Sequence, residues 1–467
     1  MPPSKERTSL KVARENAVLA SVHLPASRFD PEDPLGELRA LAESAGATPV
    51  GELIQSRQRP EAGTYMGRGK IDELAMLCDA TDASVVIFDH ELSPAQIGNL
   101  ERILERKVID RSELILDIFA SRATTREAQL QVELAQLEYT YPRLRAMWSH
   151  LERIVGPGGI GGVGTRGPGE QQIELDRRLV QQRRTRLQRE LGQIQVRKQR
   201  QVASRKLDHF TVSLVGYTNA GKSTLFNTLT AGGAYADDRL FATLVTRTRQ
   251  WDLGEGETAM LSDTVGFVRD LPHNLVASFK ATLEEATHAD LLLIVLDVSD
   301  ASAQLQHETV TRTLDELDAR TRRDAVDAGL PQPEPAPRLL VLNKADLLTT
   351  NAEPLIWNAQ HPEAILLSAS DPSHPGHQAL CQRVRGSAIG SVRRFTLRVD
   401  LADARSIALL ERRATIIDRR YPESSSDEDV PHAVFEVEMG QRQLQRLLAG
   451  GMRASIVCSD SVSSMPD

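Results

Sequence analysis

The chain has 467 residues, of which 40% are hydrophobic and 26% charged; this excludes a wholly disordered polymer and leaves room for about three domains of ordinary size. A formal net charge of -8 argues against a protein that simply coats nucleic acid, although the sign of the charge varies along the chain. The cysteines Cys78, Cys381 and Cys458 match no metal or redox spacing, no run approaches the roughly 18 apolar residues of a membrane span, and the N-terminus lacks an apolar signal core, so a cytoplasmic protein with reduced thiols is expected.

From Val18 to about Arg122, short apolar runs alternate with amphipathic ones. Strand-like segments at 17–22, 50–54, 84–88 and 107–110 are interleaved with helix-like ones at 35–45, 71–78 and 94–104. Such alternation predicts a small parallel α/β domain over residues 1–123. Gly67-Arg68-Gly69-Lys70 opens one of its helices and could hold an anion, or serve as a plain turn.

Between 124 and 206 the pattern becomes that of long helices. Leu130, Leu134, Leu137, Tyr141, Leu144, Trp148 and Leu151 recur at spacings of three and four, the seam of a helix packed on a partner, with Pro142 expected to kink it. The partner, from about Gln171 to Lys206, offers Leu179, Leu187, Leu191, Ile194 and Val202, and an antiparallel hairpin is expected. From Arg177 to Lys206 this second helix carries eleven cations against the single carboxylate of Glu190. A solvated face is one explanation; contact with a phosphate backbone is the better one for an otherwise acidic chain. The joining segment, Gly156 to Glu170 with its glycine-rich core at 156–169, is much longer than a turn requires, and Arg166 within it offers a fork of donors to phosphate.

Residues 207–386 contain the chemistry. Gly216-Tyr217-Thr218-Asn219-Ala220-Gly221-Lys222-Ser223 lies between the apolar run 211–215 and a helix-like segment beginning at Thr224, and matches the phosphate-loop pattern G-x-x-x-x-G-K-[ST]. In such a loop backbone N–H groups and the lysine meet the phosphates, while the Ser223 hydroxyl ligates Mg²⁺. Leu240 to Thr248 includes Phe241, Ala242, Thr243 and Leu244; Thr243 is favoured as the group that meets Mg²⁺ and the γ-phosphate, with Thr246 and Thr248 left open by spacing. A strand ending Asp263-Thr264-Val265-Gly266 supplies an aspartate for Mg²⁺ and an amide at Gly266 that senses the γ-phosphate. Catalytic roles therefore fall to Lys222, Thr243 and Gly266, and metal ligation to Ser223, Thr243 and Asp263. Asn343-Lys344-x-Asp346 ends a later strand; the Asp346 carboxylate can accept from guanine N1–H and the 2-amino group, which adenine cannot offer. Ser368-Ala369-Ser370 then stands where backbone can meet guanine O6. Four elements in this order point to GTP and GDP rather than ATP. Phe267 occupies the place of a water-orienting glutamine, so hydrolysis by the isolated chain is expected to be slow. Asn219 holds the loop position at which potassium-dependent GTPases ligate K⁺, making K⁺ a candidate cofactor beside Mg²⁺.

Residues 387–467 read as a small α+β domain, with strands at 395–399 and 433–437, helices at 403–412 and 441–448, and an acidic loop at 423–429. The whole predicts a P-loop GTPase domain with an N-terminal α/β subdomain, a long helical hairpin and a C-terminal α+β domain, acting as a monomer.

With these residues in place the chain resembles HflX, a ribosome-associated family of GTPases. The resemblance rests on Phe88 to Gln96, Asp110 to Phe119, Leu130 to Tyr139, Arg166-Gly167-Pro168-Gly169-Glu170, Phe241 to Leu244 and Asp263 to Phe267. It implies binding to the large ribosomal subunit near the peptidyl-transferase region, the glycine-rich loop inserted into ribosomal RNA, hydrolysis stimulated by ribosomes, and splitting or rescue of stalled ribosomes under stress, particularly heat. The chain departs from the family pattern at Val245-Thr246-Arg247, where Asp-Pro-Thr is common, at Gln171, where threonine is usual, and in the proline-rich insertion 331–337. Two readings from other classes remain: a GTPase acting on a non-ribosomal RNA or protein, and a nucleotide-sensing RNA scaffold without catalysis.

Overall fold

The computed structural model describes residues 15–25, 27–154, 178–194, 196–197, 209–230, 241, 246–269, 289–348, 350, 352–421 and 432–461, apart from the side chains of 142–154 and 459–461. Three sheets organise them.

The first is a parallel sheet of β1 (Asn16–His23), β2 (Thr48–Ser56), β3 (Val85–Phe88) and β4 (Lys107–Asp110), in the order β2-β1-β3-β4. Alternate β1 residues enter opposite cores: Ala17 and Leu19 pack with α1 (Gly36–Ser44) and α4 (Arg111–Arg122), while Val18, Ala20 and Val22 pack with α2 (Arg68–Ala80) and α3 (Pro94–Leu104). Burial on both faces is why these strands read as continuous apolar runs. α3 begins with a capping box, Ser93 accepting from the Gln96 amide while the Gln96 side chain accepts from Ser93 N–H. Asp110 caps α4 by accepting from Glu113 N–H at 2.9 Å, and also accepts from the Tyr139 hydroxyl at 2.7 Å, fastening the next helix.

That helix, α5 (Arg126–Ile154), continues through Pro142 and packs on a second helix, α6 (178–194). Leu130 and Leu134 meet Leu187 and Leu191, with Leu137 and Ile194 alongside. The pairs Arg184–Glu138, Arg183–Glu133 and Arg126–Glu190 run in opposite senses along the two helices, so they are antiparallel. Two expectations change. Leu179 is 62% exposed rather than part of the seam. Two α6 cations, Arg183 and Arg184, are also answered by carboxylates that α5 brings across, because a partner helix contributes charges that a count along one helix omits. Val202 and the glycine-rich segment lie outside the described residues.

The second sheet has the order β10-β9-β8-β5-β7-β6 and comprises β5 (Phe210–Gly216), β6 (Arg247–Gly254), β7 (Glu257–Asp263), β8 (Leu291–Asp297), β9 (Arg338–Asn343) and β10 (Ile365–Leu366). β8 is buried along its whole length. Leu291, Leu293 and Val295 face the layer of α7 (Lys222–Leu229) and α10 (Gly376–Ile389), and Leu292, Ile294 and Leu296 face that of α8 (Ala303–Asp327) and α9 (Ala352–Gln360). At about 1.5–3 kcal/mol for each large apolar side chain, this strand alone is a major stabilising element. β6 pairs antiparallel with β7 although the sequence carries no clear strand signal there, since its apolar residues Trp251 and Leu253 lie among polar and charged ones.

The third sheet is antiparallel: β12 (Thr415–Arg420), β13 (His432–Gly440), β11 (Val392–Asp400) and β14 (Ala454–Ser461), in that order. α11 (Ala404–Arg413) and α12 (Gln441–Ala449) cover it and touch the second sheet, Arg413 and Gln443 both reaching Glu257 at 2.9 and 2.8 Å. The acidic loop 423–429 lies outside the described residues.

Candidate functional site

β5 delivers the chain into Gly216 to Ser223 at the centre of the second sheet, and α7 starts at Lys222, so its first N–H groups face the loop. Gly221 is required there: its φ is 87°, and a Cβ would come within 2.2 Å of Asn343 Nδ2. Asn219 also takes a left-handed backbone, φ 61°, with its side chain exposed. Lys222 is buried, and its Nζ donates to Tyr217 O at 2.6 Å and Gly216 O at 3.2 Å. Burial pulls the amine down to about 8, against the opposing pull of Asp263.

β7 ends at Asp263, beside Leu214 of β5, and Ser223 Oγ donates to Asp263 Oδ2 at 2.7 Å. This contact brings together a hydroxyl and a carboxylate, oxygen groups of the kind that a hard cation can take. Thr264 Oγ1 donates to Leu214 O, turning the segment towards the loop. Gly266 then lies so close to the loop that a Cβ would be 2.9 Å from Thr218 Cα and 3.0 Å from Lys222 Nζ. Phe267 makes a parallel bridge with the loop, accepting from Thr218 N at 2.8 Å and donating to Gly216 O at 3.0 Å. Its ring is buried in the core beneath α8.

Phe241 is buried edge-to-face on Phe119 at 4.6 Å and joins the core of the first sheet together with Val265 and Val268. Ala242, Thr243 and Leu244 lie outside the described residues, so the favoured threonine has no place in the geometry. Of the two alternatives, Thr248 lies on β6 with its hydroxyl 3.0 Å from Ser262 Oγ, and Thr246 Oγ1 is buried without a hydrogen bond among the described residues.

The late strand β9 ends on Asn343, whose side chain is used on both sides: Nδ2 donates to Ala220 O and Oδ1 accepts from Ala369 N, each at 2.8 Å. Its amide is thus a tie between the phosphate loop and the Ser368-Ala369-Ser370 loop. Lys344, with φ 64°, extends Nζ to Asp297 Oδ2 at 2.6 Å. Asp346 occupies a single 3-10 turn, Ala345–Leu347, and accepts from Ser368 Oγ at 2.5 Å and Ser370 Oγ at 3.4 Å. The serine hydroxyls, Ser368 foremost, hold its carboxyl below the usual range, so it is charged and fixed in direction at neutral pH. His377 Nε2, 2.9 Å from Ser368 O, supports that loop from below.

Sequence reasoning missed a set of residues behind the phosphate loop. The Tyr217 hydroxyl donates to Glu37 Oε1 at 2.5 Å and accepts from Arg269 N–H at 2.8 Å. Desolvation, then the Glu37 charge, raises the phenol's pKa well above normal, so it stays protonated. Arg111 pairs with Glu37 at 2.8 Å and Asp89 at 2.6 Å, and Arg269 pairs with Asp89 at 2.7 Å. Asp89 and Arg111 stand within the two stretches that first marked the resemblance, but no spacing rule connects partners as far apart as Arg269 and Glu37.

The chain is similar to known proteins over most of its length. Residues 32–120 match the family described as "GTP-binding GTPase N-terminal", 122–205 "GTP-binding GTPase Middle Region", and 211–344 "50S ribosome-binding GTPase". The chain is 45% identical over 396 residues to "GTPase HflX" of Escherichia coli, covering 84% of this chain and 87% of that one. It is 46% identical over 339 residues to "GTPase HflX" of Lacrimispora saccharolytica, covering 70% and 78%. Among solved structures, a GTP-binding protein from the archaeon Sulfolobus solfataricus in complex with GDP aligns at 23% identity over 80% of this chain and 98% of that one, with a TM-score of 0.39.

Proposed function

The chain belongs to the HflX family of GTPases, binding GTP and hydrolysing it, and from that premise we propose that it is a ribosome-associated factor whose nucleotide state governs its hold on the large subunit. The observation that carries the nucleotide part is the Asn343 tie, which sets a fixed, charged Asp346 in one rigid unit with the phosphate loop. Asp346 accepts from guanine N1–H and the 2-amino group; adenine offers neither donor and turns its N1 lone pair towards the carboxylate, a mismatch that disfavours ATP. The Ser368 to Ser370 backbone meets guanine O6, and Lys344, steadied by Asp297, flanks the base.

The amides of Gly216 to Thr224 and the Lys222 ammonium hold the phosphates, and the Gly266 amide reports the terminal one. Ser223 and Asp263 would hold Mg²⁺, the latter through water; when bound, that ion neutralises charge on the β- and γ-oxygens. Thr243, which lies outside the described residues, would complete the set. Because Phe267 is turned into the core, water positioning comes from elsewhere, so hydrolysis by the chain alone is expected to be slow and ribosomes are expected to stimulate it. K⁺ beside Asn219 would add positive charge; equal turnover in sodium and potassium buffers would remove it from the scheme.

Ribosome binding is supported by the description of the family matched over 211–344 and by the cationic α6 leading from the glycine-rich segment. Sedimentation with purified large subunits is expected to show more binding with a non-hydrolysable GTP analogue than with GDP, and added subunits are expected to raise turnover. Deleting 161–166 should leave nucleotide affinity intact and abolish both effects. Binding indifferent to nucleotide would favour the scaffold reading, and no response to ribosomes a different target.

A further inference from the structure

The first sheet changes direction of winding between β1 and β3, because its order is β2-β1-β3-β4. In an open parallel sheet the crevice beyond the C-terminal ends of such strands is the ordinary place for a ligand. Here Asp89, the residue after β3, lies in that crevice and receives two guanidinium groups of the chain itself, Arg111 at 2.6 Å and Arg269 at 2.7 Å. Arg269 is only three residues beyond Gly266, its Nη1 donates to Arg28 O, and its side chain is 11% exposed. Its backbone N–H is held by the Tyr217 hydroxyl, and its carbonyl by Arg111 Nη2 at 3.0 Å. Val265 and Val268 enter the apolar core of the same sheet.

We propose that Arg269 is a positioning residue for the hydrolytic site: its seat on Asp89 in the β1–β3 crevice fixes the 263–269 segment, so that the terminal phosphate of GTP and the N-terminal sheet each respond to the other. The physical reason is that Arg269 lies three residues beyond Gly266 in a segment whose Val265 and Val268 are packed in the core of the first sheet, so a displacement of Gly266 is passed on to Arg269. Two carboxylates, two guanidiniums and one neutral phenol then bond only in discrete arrangements. A packed, paired cluster of this kind switches between states instead of deforming continuously. Linkage makes the effect reciprocal.

The inference rests on Gly266 as the γ-phosphate sensor; GDP and GTP-analogue affinities of the intact chain test that premise separately. Amide hydrogen exchange of the full chain, saturated with GDP or with a non-hydrolysable GTP analogue, then reads the coupling in β1, β3 and α1. The wild type is expected to differ between the two nucleotides by at least about fivefold in those segments, the low end of allosteric couplings. Arg269→Gln and, independently, Asp89→Asn are expected to abolish that difference while still binding GDP as the wild type does. Arg269→Lys should restore part of it, a rescue that a purely structural role would not give. Should Arg269→Gln fail to fold, Asp89→Asn decides alone. Identical exchange with both nucleotides in the wild type, or a full difference persisting in a folded variant, would overturn the proposal.

Discussion

Asn343 Nδ2 donates to the carbonyl oxygen of Ala220 at 2.8 Å, joining residues 123 positions apart in the chain. This amide and not Lys344 or Asp346 is what holds the two ends of the nucleotide site at a constant separation, since its other atom takes the Ala369 N–H. Rigid spacing between a base and its phosphates is a condition for reading both at once.

Asn343→Ala removes both bonds and leaves a buried carbonyl and a buried N–H without partners. At about 1–3 kcal/mol for each group, a loss of about 2–6 kcal/mol in folding stability is expected. Chemical denaturation measures it, and GTP and GDP affinities should fall together, on the order of tenfold or more. Unchanged affinity for both nucleotides would show that the tie is dispensable.

Asp346→Asn reverses one side of the recognition, placing amide hydrogens where guanine presents hydrogens of its own. GTP affinity should fall on the order of a hundredfold or more, while a triphosphate carrying a carbonyl oxygen at C2, as xanthine does, should gain. Competition binding with GTP, XTP and ATP provides the check. An Asp346→Asn protein that still prefers GTP would contradict the assignment.

The pH dependence follows from Lys222. Burial holds its amine at about 8 without ligand, below the ordinary lysine value of 10.5, so the folded chain holds fewer protons there than the unfolded chain between those values. Stability of the ligand-free protein therefore gains from this group as pH rises from about 8 to 10.5. Triphosphate binding needs the ammonium and has the opposite slope: affinity should weaken about fourfold from pH 7 to 8.5. Calorimetry in buffers of different ionisation enthalpy should detect proton uptake on binding at the upper pH. A flat affinity over this range would exclude the effect.

Phe267→Gln restores the residue type that orients water in related enzymes but not its direction. The ring is buried among Val215, Leu292 and Leu296, so the change costs about 3 kcal/mol or more in stability, and turnover should not exceed wild type. Single-turnover hydrolysis beside thermal melting separates the two. Faster hydrolysis by a folded Phe267→Gln protein would mean that this segment swings out of the core during the reaction.

Much of the site was legible because its parts are local. A glycine pair, a lysine and a hydroxyl within eight residues, or an asparagine and an aspartate at a strand end, are dictated by backbone geometry at short range. Strand and helix alternation at 16–110 was equally readable, since burial on both faces leaves a periodic trace. The tertiary structure alone decided that Arg269 and Arg111 share Asp89, that Glu133 and Glu138 answer the cations of α6, and that Phe267 points inward. Ion pairs across long separations leave no period in a sequence, because their energy depends on distance in space, and only the packed chain sets that distance.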